Sequence, residues 1–217
     1  MSKISLIFYW VFFAVLNLKA SEYEITVLAT NTANFGGIGE WSFSALLESD
    51  DEKILFDTGF NENTVLHNAN LLGKDLSQVE KVILSHFHGD HTGGLIKLRK
   101  TFKEINPKAF STVYVADGFF EQRYDENGEL RGFIGGFNDV DNFLKETDDL
   151  GIRFVILKEP IEISKNLYLS GPVERIHERV VVSPGFYLKK DGLLLDDLVL
   201  DDQSLSLIHI SEPTRLA

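Results

Sequence analysis

Three imidazoles and one carboxylate fall close together in Ser85-His86-Phe87-His88-Gly89-Asp90-His91-Thr92-Gly93-Gly94. Neutral imidazole and carboxylate are borderline-to-hard donors that suit zinc, iron or manganese. His86 and His88, two apart in a loop, can converge on one ion. Asp90 and His91 are adjacent, so their side chains diverge from that pair and can serve a second ion a few ångströms away. Gly89, Gly93 and Gly94 let the backbone turn tightly around such a site. The chemistry this implies is metal-assisted hydrolysis. Two ions share a hydroxide, lower its pKa and polarise a carbonyl or phosphoryl oxygen, with Asp90 holding a metal and orienting the hydroxide. The competing reading is a histidine-rich surface loop, or core histidines satisfied by hydrogen bonds. It suits a lone histidine better than this ordered set behind an apolar run.

That loop needs elements to position it. Lys81-Val82-Ile83-Leu84-Ser85 reads as a buried strand delivering His86, and Leu95 to Phe102 has helical spacing, so a helix opens beside the site. Upstream, Tyr23 to Leu28 alternates as a strand, Ser42 to Leu47 forms a second, and Lys53 to Asp57 a third that stops at Thr58-Gly59. A helix is predicted from about Glu62 to Leu72, closed by Gly73. Ser77 stands as an N-cap-like residue in the short link that follows. Downstream, Val113 to Ala116, Phe154 to Leu157, Ile161 to Ile163 and Leu167 to Leu169 read as strands, and Asp139 to Leu150 as a helix. Gly118 to Gly136 is charged and glycine-rich and reads as a mobile excursion, either a lid or an oligomer contact. Strands and helices mix throughout without repeats, which predicts an α+β or α/β chain with a largely mixed sheet.

Composition narrows the function. The 217 residues suffice for one sizeable domain. A net charge of -12 and a pI near 4.9 repel phosphate backbones, so nucleic acid is excluded as a general partner and a small molecule is expected instead. An anionic substrate remains open, because a bound metal inverts the local field. With no cysteine there are no disulfides, no thiolate-bound zinc, no thiol catalysis and no lipid-anchored signal. Lys3, the apolar run Ile4 to Leu18 and the small residue Ala20 resemble a signal peptide over residues 1–20, cleaved before Ser21. The run is too short for a spanning helix. The mature domain is therefore expected in the periplasm or outside the cell, without a stable membrane span.

The end of the chain reads differently. Leu205-Ser206-Leu207-Ile208-His209-Ile210-Ser211-Glu212-Pro213-Thr214-Arg215 matches, residue by residue, one reading frame of a transposase-type sequencing adapter. Residues 205–217 are accordingly expected to be a non-native tail and residues 21–204 a truncated domain. His209 is not recruited as a ligand.

The loop also carries a resemblance. His86-Phe87-His88-Gly89-Asp90-His91 is similar to the H-x-H-x-D-H signature of the metallo-β-lactamase superfamily, which implies an αββα sandwich. It also implies His86 and His88 on a first metal, and Asp90 and His91 on a second. Lys53-Ile54-Leu55-Phe56-Asp57-Thr58-Gly59 resembles the family's strand-Asp-Thr-Gly motif, which implies that Asp57 orients ligands from beneath the loop. Gly39 to Ser44, Asn68-Ala69, Leu72-Gly73, Asp75 to Ser77, Gly171 to Arg175 and Asp201 to Leu205 resemble one branch, that of dihydropterin-ribofuranosyl-aminobenzene-phosphate-synthase-like proteins. That branch adds a Gly-Cys-(Ser/Gly)-His ligand segment and a later histidine, neither present here. The second half of the sandwich is thus expected to be incomplete, with four ligands only. His67 and His177 are expected at the surface. Arg175, beside Gly171-Pro172, either meets an anionic substrate or is a solvated arginine.

The resulting expectation is an exported hydrolase acting on an ester, lactone or phosphoester with two divalent ions, zinc first and iron or manganese next. The alternatives are a non-catalytic metal-binding protein or an inactive fragment. The chain as written is expected to bind metal weakly and hydrolyse nothing.

Overall fold

A computed structural model describes residues 23–132, 134–174 and 182–207 of the chain. The signal-like segment, Arg175, His177 and the tail beyond residue 207 lie outside the described residues. The first half runs β1 (Glu24–Ala29), β2 (Ser44–Glu48), β3 (Lys53–Phe56), α1 (Thr64–Leu71), β4 (Val79–Ile83), α2 (Gly89–Thr92), α3 (Leu95–Phe102) and β5 (Thr112–Ala116). Then follow β6 (Arg123–Tyr124), α4 (Val140–Asp149), β7 (Arg153–Leu157), β8 (Ile161–Ser164), β9 (Leu167–Pro172), β10 (Tyr187–Lys190), β11 (Leu193–Asp196) and β12 (Gln203–Leu207). Among the described residues no helix is long and apolar enough to cross a membrane.

The main sheet has the order β1-β2-β3-β4-β5-β7. β1, β2 and β3 form an antiparallel meander, whereas β3, β4, β5 and β7 pair in parallel. Parallel strands require both faces covered, and the period-two pattern provides for it. Leu46, Leu55, Val82, Val113 and Val115 face one core with α1, α3 and α4, while their neighbours Leu47, Ile54 and Ile83 face a second core with Leu167 and Leu169. The second core lies against a three-stranded sheet, β12-β9-β8. The chain is therefore α+β, a helical layer, a mixed sheet and a smaller second sheet. This is the expected sandwich with its second half incomplete among the described residues.

Caps and turns fix the boundaries. Asp139 accepts a hydrogen bond from Asp141 N at 2.8 Å and starts α4. Glu40 takes four donors at the entry to α1: Phe60 N at 2.7 Å, Asn61 N at 3.1 Å, Ser42 Oγ at 2.8 Å and Thr64 Oγ1 at 2.8 Å. Ser77 is not an N-cap, because no helix follows it. Its N–H and hydroxyl both donate to Asp75, at 2.8 and 3.0 Å, in a local turn before β4.

Two stretches depart from the sequence reading. The 118–136 excursion is anchored, because Arg123, 2 % exposed, is one of the largest fully buried side chains. β6 joins β10 and β11 in a small third sheet. The β10–β11 hairpin turns on Asp191 and Gly192, both at positive φ (51° and 81°), as a two-residue turn of the I′ kind requires. Leu205 to Leu207, the start of the adapter-like tail, pair with β9 in β12. Leu205 and Leu207 pack on the second core, as alternating apolar residues would whatever their coding origin.

Arg123 is flanked by two buried carboxylates, Asp197 at 3.1 Å and Asp201 at 2.7 Å. Burial pushes Asp201 up to about 6, against the pull of the Arg123 guanidinium and of the Phe87 N–H. Between about pH 4 and 6 the folded chain thus keeps a proton that the unfolded chain has lost. This contribution is complete below pH 4, falls as pH rises through 6, and stays lost above.

Two outcomes are expected from urea unfolding. Glu40→Ala lowers stability by about 1–3 kcal/mol, since the buried Thr64 hydroxyl and the turn before α1 lose their acceptor; an unchanged midpoint would contradict the capping role. Asp201→Asn removes a pH slope worth roughly 2–3 kcal/mol between pH 4 and pH 7, whereas a difference from wild type that does not vary with pH rules out the raised carboxyl.

Candidate metal centre

β3 and β4 run in parallel and end side by side, which brings Asp57 beneath the loop that leaves β4. Asp57 is 1 % exposed and takes a left-handed backbone (φ 55°). Its carboxylate collects three donors: Ser85 N at 2.7 Å, Ser85 Oγ at 2.8 Å and His91 Nδ1 at 2.7 Å. Burial raises the pKa of Asp57 against these donors. Burial lowers the His91 imidazole's pKa, but Asp57 at Nδ1, together with Asp90 and Asp202, raises it on balance. With Nδ1 committed to Asp57, His91 turns Nε2 outward, 3.6 Å from Asp90 Oδ2. Asp57 therefore holds the His91 ring from below.

Ser85 extends the network. Its hydroxyl donates to Asp57 and lies 3.0 Å from His86 Nδ1. His86 Nε2 then meets His88 Nδ1 at 2.9 Å, and His88 Nε2 meets Ser183 Oγ at 3.0 Å. Phe186 packs on the His88 ring at 5.4 Å between centroids. Burial lowers the His88 pKa, outweighing Asp90 and Asp197, so the ring is kept in the neutral form that binds metal.

Backbone fit holds the loop down. α2 turns the ligand residues themselves, Gly89 to Thr92, into one short helical turn rather than an open loop. Thr58 N donates to His91 O at 2.7 Å, and Phe43 N to Asp90 O at 3.3 Å. A Cβ on Gly93 would collide with the Phe60 carbonyl oxygen and one on Gly94 with that of Thr58, so the loop can lie this close to the β3 exit only with glycine at both places.

The four expected ligands come together, the His86 ring lying between those of His88 and His91, with centroids 4.6 and 4.2 Å away. Among the described residues no three His, Asp or Glu side chains converge as a group that could hold an ion. The His86–His88 contact shows the spacing. Two nitrogens at about 2.0–2.1 Å from a tetrahedral ion stand roughly 3.3 Å apart, whereas here they hydrogen-bond at 2.9 Å. The donor types fit zinc, iron or manganese, and the pair needs to open by only a few tenths of an ångström.

Arg175 lies outside the described residues and is not placed. His67 is exposed and contacts Gly36 O at 2.8 Å, far from any ligand role. Sequence reasoning gave Ser183 and Arg123 no part in the site, and it singled out Ser85 and Gln203 only as members of matching segments, without a role.

Comparisons place this geometry among known proteins. A family model described as the metallo-beta-lactamase superfamily matches residues 42–163. An uncharacterized protein of Methanocaldococcus jannaschii is 32% identical over 181 residues, covering 83% of this chain and 64% of the relative. The 7,8-dihydropterin-6-methyl-4-(beta-D-ribofuranosyl)-aminobenzene-5'-phosphate synthase of the same organism is 28% identical over 201 residues, covering 88% and 65%. Among solved structures, Tm1679, a metal-dependent hydrolase of the beta-lactamase superfamily, superposes with a TM-score of 0.61 at 28% identity, over 85% of this chain and 60% of that one. The chain thus spans under two thirds of the length of these relatives. The matched span holds both Asp57 and the His86–His91 loop, and the chain belongs to the metallo-β-lactamase superfamily.

Proposed function

We propose that this domain serves a metal-dependent hydrolase acting on a small ester, lactone or phosphoester outside the cytoplasm. The observation that carries the reading is the meeting of His86 Nε2 and His88 Nδ1 at 2.9 Å, with the other nitrogen of each ring near a serine hydroxyl. A metal-binding histidine is usually oriented through its second nitrogen in this way. The likeness to a solved metal-dependent hydrolase supports the same reading.

In this reading His86 and His88 hold one divalent ion and Asp90 and His91 a second, zinc being the best chemical match. Bound there, the ions supply Lewis acidity and bring the pKa of water toward neutrality. Asp57 keeps His91 in the tautomer that presents Nε2. Asp90, at the rim of α2, orients the attacking water. Ser85 keeps the His86 ring aligned. The export part of the proposal rests on the signal-like sequence of residues 1–20.

A second reading is favoured by the 28% identity to a synthase along 88% of the chain. It keeps the metal pair and replaces hydrolysis. A non-catalytic metal-binding protein keeps the metal pair alone.

Isothermal titration of the chain with zinc or manganese, followed by p-nitrophenyl ester, phosphodiester and lactone hydrolysis at saturating metal, separates these readings. The four donors of the described residues fall short of two closed tetrahedra, so binding is expected to be weak. His88→Ala is expected to reduce affinity by at least about 10-fold. Metal-dependent turnover lost in that variant supports the hydrolase and overturns the expectation that the chain as written is inactive. Metal binding without turnover meets that expectation and supports the shared metal site alone, and binding unchanged in His88→Ala sinks the metal reading altogether.

A further inference from the structure

The buried cluster around Arg123 touches the metal loop at one point, Phe87, the residue between the two paired histidines. Asp201 Oδ2 accepts the Phe87 N–H at 2.8 Å. Asp201 Oδ1 accepts from Arg123 Nη2 at 2.7 Å, and Arg123 Nε donates to Asp197 at 3.1 Å. The third arm of the guanidinium donates to the carbonyls of Glu121 at 2.6 Å and Phe119 at 3.2 Å. The guanidinium carbon also lies 4.2 Å from the centre of the Phe87 ring. Both faces of Phe87, its backbone N–H and its ring, are thus held by the same ion pair.

Two residues along the chain from Asp201, Gln203 repeats the device on the other side of His86. Its N–H donates to Ser85 O at 2.8 Å, and its Nε2 donates to Leu84 O at 2.8 Å and Tyr114 O at 3.1 Å. Gln203 Oε1 is buried without a hydrogen-bond partner among the described residues, so the amide is committed to tying the exit of β4 to the middle of β5 at the expense of its own oxygen. Residues 85 and 87 are therefore clamped from one segment, 201–203, and His86 is suspended between the clamps.

We propose that Arg123, acting through Asp201, is a positioning residue that sets the bite of the His86–His88 pair. This rests on the reading that the pair binds a metal. An ion pair this deeply buried is costly to assemble and strongly destabilising to break, so it is weak evidence for stability as such. Its geometry explains it better as a locator. The planar fork fixes Asp201, and Asp201 fixes the peptide that joins the two ligands. A ligand pair that must open only slightly to accept an ion gains from a rigid connecting peptide, because little ordering remains to be done on binding.

Cobalt(II) is the probe, since its visible absorption reports ligand geometry. The full chain, Asp201→Ala, Asp201→Asn and Leu207→Ala are titrated with cobalt at a temperature where each is folded by circular dichroism. Asp201→Asn keeps an oxygen for the Phe87 N–H, and Leu207→Ala weakens β12 without touching the clamp. Asp201→Ala is expected to bind cobalt about 10–100-fold more weakly with an altered band pattern. Asp201→Asn, whose amide nitrogen faces Arg123 Nη2 once its oxygen takes the Phe87 N–H, should recover only part of the affinity, and Leu207→Ala should lose thermal stability while keeping the wild-type spectrum. Should Asp201→Ala not fold, Arg123→Lys, which keeps a cation and loses the fork, is read the same way. Wild-type affinity and spectrum in the folded clamp variant would overturn the positioning role alone. Failure of the wild-type chain to bind cobalt would overturn the metal reading and this inference with it.

Discussion

A carboxylate withdrawn from water must be given donors, and the ones Asp57 takes determine where the loop above it goes. Ser85 supplies its backbone and its hydroxyl, and His91 supplies a ring nitrogen. Those contacts bind the start and the end of the His86–His91 segment to a single point at the tip of β3. The strand pairing of β3 with β4 brings that point beneath the loop, the left-handed backbone at Asp57 aims it, and Gly93 and Gly94 let the loop descend to it. Without this carboxylate His91 would lose the partner that fixes its ring.

The loop has a second support on its far side. Asp201 and Gln203 take the backbone at Phe87 and Ser85, and Arg123 locks Asp201. The two supports come from opposite parts of the fold, β3 in the main sheet and the lead into β12 in the second sheet. The packing of the two sheets across the core of Leu47, Ile54, Ile83, Leu167 and Leu169 therefore bears on ligand geometry as well as on stability.

What could be read in the sequence was local. His86, His88, Asp90 and His91 lie within one loop, and Lys53 to Asp57 reads as a strand that stops at Thr58-Gly59, so the loop and the main strands were visible. Arg123 was not, because its carboxylate partners lie 74 and 78 residues away and its own neighbourhood is polar and glycine-rich. That same composition made the 118–136 stretch look mobile, although burying one arginine suffices to anchor it. The Asp191-Gly192 hairpin was a missed local signal, a two-residue turn between short apolar strands. The hydrogen bond between His86 and His88 follows from a distance that no spacing rule carries.

The central claim is that a rigid, doubly supported loop holds His86 and His88 ready for one ion. A crystal structure of the chain grown with zinc, with anomalous scattering recorded at the zinc edge, tests it most directly. The account predicts a peak between His86 Nε2 and His88 Nδ1, those nitrogens opened to about 3.3 Å, and the Asp57, Ser85 and Asp201 contacts in place. Zinc absent from that position, with the two rings still hydrogen-bonded to each other, would contradict it.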